Sequence, residues 1–147
     1  MKKWSFFNSN LYSLDFWNSN SAINVNLSNG TASGDHADGG MLIDIKSVYG
    51  SKHNDTLIGD ENNNSLVRYF GNDILSGNDG HDYIEEGGND HMFGGSGSDR
   101  ILGGLGNDML RGDSRADRLN GGSGNDYFIY SSLEDSSINA SDIIQDF

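Results

Sequence analysis

A large apolar residue recurs at an almost constant spacing between Leu57 and Phe128. Successive members are nine residues apart, except for one interval of eight between Ile84 and Met92. The residues on either side of each member are apolar in only about half of the cases. The pattern therefore selects one residue per repeat to face inward. The row consists of Leu57, Leu66, Leu75, Ile84, Met92, Ile101, Leu110, Leu119 and Phe128.

An aspartate or asparagine lies two positions before each of these apolar residues, and most copies place a glycine-rich stretch before it. The pattern is most regular over residues 94–111, which read GGSGSDRIL and then GGLGNDMLR. Glycine adopts backbone angles that are costly for other residues, so a tight turn is predicted up to the aspartate. The other three residues can form only a short strand, whose middle side chain faces away from its neighbours. Such strands need stacked copies for stability, which predicts the coils of a solenoid.

The turns have the chemistry of half a calcium site. Calcium takes six to eight oxygen ligands from carboxylates and backbone carbonyls. A glycine-rich turn leaves carbonyls unpaired, and the aspartate that closes it adds a carboxylate beside them. The candidate ligands are Asp55, Asp73, Asp82, Asp90, Asp99, Asp108, Asp117 and Asp126, with the turn glycines Gly95, Gly97, Gly104, Gly106, Gly122 and Gly124.

If two repeats complete one coil, alternate turns stack on the same edge and ions lie between coils. One edge would then carry Asp55, Asp73, Asp90, Asp108 and Asp126, and the other Asn64, Asp82, Asp99 and Asp117. In this arrangement Asp117 ends its row, beside Arg115, which replaces the third glycine of its repeat. Weak binding is predicted in the first three repeats, which also depart from the pattern, at Ser51 and His53, at Asn64, and at Arg68 and Tyr69. The shortened interval predicts a tighter coil, in which Glu85 both ends one repeat and opens the next.

The residues outside the repeats predict additional β-structure. We divide the chain into an N-terminal capping segment (1–49), nine repeats (50–129) and a C-terminal flanking segment (130–147). Ile23, Val25 and Leu27 alternate with asparagines, as in a half-buried strand. The loop containing Asp35, His36 and Asp38 could ligate a metal, although a solvated loop is favoured. An aromatic cluster is interpreted as a hydrophobic cap over the first coil in preference to a sugar- or partner-binding surface; it contains Trp4, Phe6, Phe7, Tyr12, Phe16 and Trp17.

The acidic composition of the chain indicates which classes of partner it can bind. The 147 residues suggest one domain and include 22 acidic and 9 basic residues, for a formal net charge of -13. Such a chain repels nucleic acid and anionic membranes, whereas divalent cations neutralise it. The composition also matches a disordered acidic linker, but the unbroken apolar row argues against disorder when calcium is present. No apolar run is long enough for a Sec signal peptide or a membrane span.

Sequence motifs for catalysis are missing from the chain. It contains neither HExxH, the zinc-protease motif, nor GxSxG, the lipase motif. The four histidines, His36, His53, His81 and His91, are scattered in sequence without a nucleophile or an orienting partner. We therefore expect no catalytic residue and no enzymatic activity in this chain.

The repeats resemble the RTX nonapeptide GGxGxDxUx of secreted bacterial toxins, metalloproteases, lipases and epimerases, over Gly50 to Ile129. The tail SDIIQDF is similar to the segment after the repeats in serralysin-type proteins. The resemblance implies an all-β, right-handed parallel β-roll, loaded with Ca²⁺, with an irregular β cap at its N-terminal end. It also implies Sec-independent, type I-like secretion of an extracellular calcium-binding module that folds after export.

An alternative is an accessory domain or fragment of a secreted enzyme, such as a polysaccharide epimerase or metalloprotease, that contacts the substrate. Acidic polysaccharide and a parent protein are the candidate partners besides calcium. Neither nucleic acid nor a membrane span is expected.

Overall fold

A computed structural model of the protein describes residues 12–35, 41–68, 70–132, 135 and 141–145. Within these ranges the chain forms fourteen short strands and no helix. In chain order they are β1 (Ser13–Asp15), β2 (Asn24–Asn26), β3 (Thr31–Ser33), β4 (Ser47–Tyr49), β5 (Thr56–Ile58), β6 (Ser65–Val67), β7 (Ile74–Asp79), β8 (Tyr83–Glu85), β9 (His91–Ser96), β10 (Arg100–Leu102), β11 (Met109–Ser114), β12 (Arg118–Asn120), β13 (Tyr127–Phe128) and β14 (Ile143–Gln145).

The strands build two seven-stranded sheets. The first sheet has the order β1-β4-β6-β8-β10-β12-β14, and the second has the order β13-β11-β9-β7-β5-β2-β3. Along the repeats the chain alternates between the sheets, so each strand pairs in parallel with the strand one coil later. Among the described strands, β2 and β3 alone pair antiparallel. The predicted all-β parallel β-roll is confirmed.

The core lies between the sheets and is formed by the middle residue of each strand. Residues of the predicted inward row stack in register, as Leu66 does on Ile84 and Leu75 on Met92. All nine are in the core; eight are fully buried, and Phe128 packs partly buried against them. Because a three-residue strand presents only one side chain inward, the core is narrow, and stacking of coils supplies most of the buried apolar surface.

Both sheets extend beyond the nine repeats. Strand β1 pairs with β4, and β2 pairs with β5, so residues before the repeats continue the coils. At the other end β14 pairs with β12. The predicted alternation is confirmed, because Ile23, Val25 and Leu27 are all buried.

The predicted aromatic cap lies only partly within the described residues. Phe16 is buried in the core at the N-terminal end. Tyr12 and Trp17 are half exposed, and the Trp17 ring lies 6.3 Å from the ring of Phe70. The other three members of the cluster, Trp4, Phe6 and Phe7, fall outside the described residues.

The shortened interval changes one turn. Registered pairs are 18 residues apart along most of the roll but 17 apart for Asp90 and Asp73 and for Asp99 and Asp82. Glu85 ends its repeat as expected, since it is the last residue of β8 and pairs with Leu102, but the expectation that it also opens the next repeat is wrong. Glu86 instead occupies the first turn position, since its N–H donates to the Leu102 carbonyl as the N–H of Gly103 donates to the Asn120 carbonyl.

Candidate metal sites between the coils

The turn aspartates form two rows, one along each edge of the roll. In every row, Oδ1 of an aspartate accepts the backbone N–H of the corresponding turn residue one coil earlier, at 2.6 to 3.0 Å. The first row contains Asp55, Asp73, Asp90, Asp108 and Asp126, and the second contains Asn64, Asp82, Asp99 and Asp117. The predicted grouping of these residues into two rows is confirmed. The sequence pattern did not reveal the hydrogen bond, which links neighbouring coils.

In most of these aspartates the second carboxylate oxygen is buried and accepts no hydrogen bond from the residues that the structure describes. This holds for Oδ2 of Asp73, Asp82, Asp90, Asp99, Asp108 and Asp117. A buried charged oxygen without a partner is costly, so each of these oxygens requires a cation or a proton.

The first glycine of a turn provides the space for this oxygen. A Cβ atom added to Gly103 or Gly112 would crowd Oδ2 of the aspartate five residues later, Asp108 or Asp117. The role of this glycine is therefore to make room for a carboxylate inside the turn.

Backbone carbonyls line the same gaps. The Gly88 carbonyl oxygen points at Gly106 of the next coil, and the Gly80 carbonyl oxygen points at Gly97. Equivalent close approaches involve the other candidate glycines, Gly95, Gly104, Gly122 and Gly124. Gly95 and Gly97 lie on the edge of the second row, and the remaining four lie on the edge of the first. Each gap thus collects carboxylate and carbonyl oxygens, the ligand types that calcium uses.

The prediction that Asp117 ends its row is wrong. Its backbone N–H donates to Oδ1 of Asp142 at 3.0 Å, so the tail continues the row by one more aspartate. The sequence contained a sign of this, because Ile144 follows Asp142 by two positions, as in the repeats. Arg115 is exposed, and no ion pair joins it to Asp117 in the described part of the chain.

The gap between Asp55 and Asp73 already contains a cation. The Arg68 side chain is 1% exposed, and its Nε lies 3.2 Å from Oδ2 of Asp55 and 3.7 Å from Oδ2 of Asp73. Its Nη2 donates to the carbonyls of Phe70 and His53. Arg68 replaces the first glycine of its turn, so the guanidinium fills the space that the glycine turns leave open. Carboxylates and turn carbonyls hold it, as they would hold a metal ion.

Burial is the main cause of the pKa shifts in both rows. It raises the pKa of Asp73, Asp90, Asp99 and Asp108 to about 6, that of Asp82 to about 7 and that of Asp117 to about 8. Burial, followed by the carboxylates of Asp73 and Asp90, raises the pKa of Glu86 to about 11. The hydrogen bonds from the preceding coil lower the aspartate values but do not outweigh burial. Without a bound cation the carboxyls in these rows therefore keep their protons to a higher pH than an ordinary aspartate does.

These shifts predict that the calcium-free protein becomes more stable as the pH falls. The folded state binds more protons than the unfolded state, so the stabilisation is complete below the ordinary aspartate pKa of 3.8 and is lost as the pH rises through about 6 to about 8. Circular dichroism in chelator should therefore show β-structure increasing from about pH 8 to about pH 5.

The same titration in saturating calcium is the control. There the dependence should reverse, because protons then compete with the ion for the carboxylates. A calcium-free spectrum that does not change with pH would contradict this assignment of the buried carboxyls.

The remaining candidate residues do not add to the rows. Asp35 accepts a hydrogen bond from Asn20, and its proposed partners His36 and Asp38 fall outside the described residues. Among the histidines, His53 is half-buried and His81 and His91 are exposed. The backbone N–H of Ser98 donates to Nδ1 of His81 at 3.0 Å.

Comparison with known proteins identifies one family. The sequence model described as peptidase M10 serralysin C terminal matches residues 13–147. A search of curated proteins found no match. In the described part of the chain, no helix is long and apolar enough to cross a membrane.

Proposed function

The chain belongs to the peptidase M10 serralysin C-terminal family, and on this premise we propose that it is an extracellular calcium-binding RTX module that folds on calcium binding. The observation that carries the proposal is the double row of buried Oδ2 oxygens, which accept no hydrogen bond within the described ranges and lie in the gaps between stacked turns. Calcium in those gaps would supply the missing partner of every carboxylate.

The ligands follow from the two rows. The carboxylates of Asp73, Asp82, Asp90, Asp99, Asp108, Asp117 and Asp126 provide charge, and turn carbonyls complete the coordination, including those near Gly95, Gly97, Gly104, Gly106, Gly122 and Gly124. Asp55 shares its gap with Arg68. We assign Asp55 to a cation site that the chain itself occupies.

Calcium binding is coupled to folding because the aspartates of the two rows are costly to bury without an ion. When the aspartates are ionised and no ion is bound, the cost of burying many carboxylates offsets the stabilisation that the narrow apolar core provides. Calcium that binds only the folded coils stabilises them by mass action. Extracellular calcium modules can have dissociation constants of about 10⁻⁴ to 10⁻³ M, well above cytosolic calcium. The chain would therefore remain unfolded inside the cell and fold after a Sec-independent, type I-like export.

The family description concerns the C-terminal part of serralysin-type proteases. We infer that this chain has a non-catalytic role, either by itself or next to a catalytic domain. The alternative, contact with an acidic polysaccharide, is not favoured at the groove of about 830 Å³ that the structure forms beside the second sheet. Arg111 in that groove is outnumbered by acidic residues: Asp60, Glu61, Asp79, Asp113 and Asp135.

Circular dichroism during a calcium titration tests the proposed function. The titration is done at about pH 7.5, where the carboxylates of the unfolded chain are ionised. The spectrum should change from that of a disordered chain to that of a β-rich one as the calcium concentration rises towards about 10⁻³ M. Magnesium is the control and should be less effective, because it demands octahedral geometry and dehydrates reluctantly. A spectrum that is identical in chelator and in millimolar calcium would refute the proposal.

A further inference from the structure

Glu86 places a carboxylate where most other turns have a glycine. Its N–H donates to the Leu102 carbonyl at 3.0 Å, and in the next coil the Gly103 N–H donates to the Asn120 carbonyl at 2.8 Å. The two residues therefore hold equivalent positions on the same edge of the roll. The Glu86 side chain is 3% exposed, so it enters the space that Gly103 leaves open in its own turn.

Three buried carboxylates meet at this position. Both side-chain oxygens of Glu86 are buried, as is Oδ2 of Asp73 and of Asp90, and no donor group among the described residues forms a hydrogen bond with any of them. One oxygen from each of the three residues lies within 4.8 Å of the others. Two oxygens bound to one calcium ion can be up to about 5 Å apart, because each lies 2.3 to 2.6 Å from the ion. The cluster therefore has dimensions that suit one calcium ion.

The nearby guanidinium does not neutralise the cluster. Arg68 Nε is 3.7 Å from Oδ2 of Asp73, but it lies closer to Asp55, at 3.2 Å. When all are ionised, the four carboxylates of Asp55, Asp73, Glu86 and Asp90 exceed the one positive charge of Arg68 by three. A divalent cation removes most of this excess.

The length of this turn explains why it contains the additional carboxylate of Glu86. Glu86 precedes Asp90 by four positions, whereas Gly103 precedes Asp108 by five. The shorter turn has one backbone carbonyl fewer to offer as a ligand. The Glu86 carboxylate can replace this lost oxygen, and it brings a negative charge that a carbonyl lacks.

We propose that Asp73, Glu86 and Asp90 form a calcium site of a second type, built on three carboxylates, which binds its ion more tightly than the glycine-built gaps. The inference rests on the proposed function, because calcium binding by the other gaps is its reference. Ligand charge is one of the properties by which proteins tune calcium affinity.

The test measures calcium binding to the full chain by competition with a chromophoric chelator, supported by calorimetry. The wild type should bind one ion more tightly than the rest. In Glu86→Gln this ion should bind at least about tenfold more weakly, while the other ions keep their affinities. Glu86→Gly, which restores the residue of the other turns, should weaken the same ion. Glu85→Gln is the matched control: it removes the same charge one residue away, at a half-buried side chain that accepts a hydrogen bond from Tyr83, and should bind as the wild type does.

Thermal unfolding separates an ion site from a purely structural role. Glu86→Gln should raise stability in chelator, because a buried carboxylate is lost, and lower it in saturating calcium. A structural role would move both values in the same direction and would overturn the inference, as would unchanged calcium affinity in Glu86→Gln. If the wild type binds calcium and only this variant comparison fails, the proposed function stands without the inference. If the wild type binds no calcium, both fail.

Discussion

Replacing Gly106 by alanine is expected to destabilise the calcium-loaded fold by more than about 3 kcal/mol. A Cβ atom at this position would overlap the carbonyl oxygen of Gly88 in the preceding coil, and the backbone has a φ of +125° that alanine rarely adopts. The two coils would have to separate, which would also displace a carbonyl from the gap. Gly97→Ala should behave alike, because its Cβ would overlap the Gly80 carbonyl oxygen. Chemical denaturation in saturating calcium measures the loss.

The control lies in the same turn. Leu105 is 70% exposed, so Leu105→Ala should change the free energy of unfolding by less than about 0.5 kcal/mol. If Gly106→Ala were as mild as this control, the carbonyls could not approach the next coil as closely as the structure shows.

Replacing Arg68 by glycine is expected to exchange an internal cation for a calcium ion. Without calcium, the variant loses the partner of the buried Asp55 and Asp73 carboxylates, at a cost of about 3 to 5 kcal/mol. With calcium, the vacated gap has two carboxylates and the turn carbonyls of His53 and Phe70. Calorimetry should therefore detect one more bound ion than in the wild type, and the folding transition should depend more steeply on calcium concentration.

Arg115→Gly is the matched control for this variant. It removes the same charge at another place where an arginine stands for a turn glycine, but Arg115 is exposed and has a φ of 87°. The number of bound ions should not change, and glycine should relieve some backbone strain. An unchanged ion count in Arg68→Gly would mean that the guanidinium does not occupy a cation site.

The sequence alone was sufficient for the fold because the constraints within each repeat are local. A glycine-rich turn, a short strand and one inward residue follow from nine consecutive residues, and copies can bury that residue only by stacking. The grouping of the aspartates into two rows follows as well, once two repeats are taken to form one coil. Leu66 and Ile84 show the agreement, since the predicted inward residues meet in register.

The contents of the gaps were decided by the tertiary structure. Gap partners are 17, 18 or 25 residues apart in sequence, as Asp90 and Asp73, Asp73 and Asp55, and Asp142 and Asp117 show. A local pattern does not reveal which side chain enters such a gap. The sequence therefore showed Arg68 only as a departure from the motif, assigned Glu85 to the position that Glu86 holds, and ended the second row one aspartate too early.

In each aspartate, the sequence predicts one property and the tertiary structure decides another. Their spacing predicted a carboxylate at every gap, and the structure shows that one oxygen already binds the backbone of the preceding coil. The other oxygen accepts no hydrogen bond from the described residues and is free to bind a cation. Spacing along the chain determines which residues reach an edge, whereas the charge, space and hydrogen bonds in a gap depend on the coils above and below it.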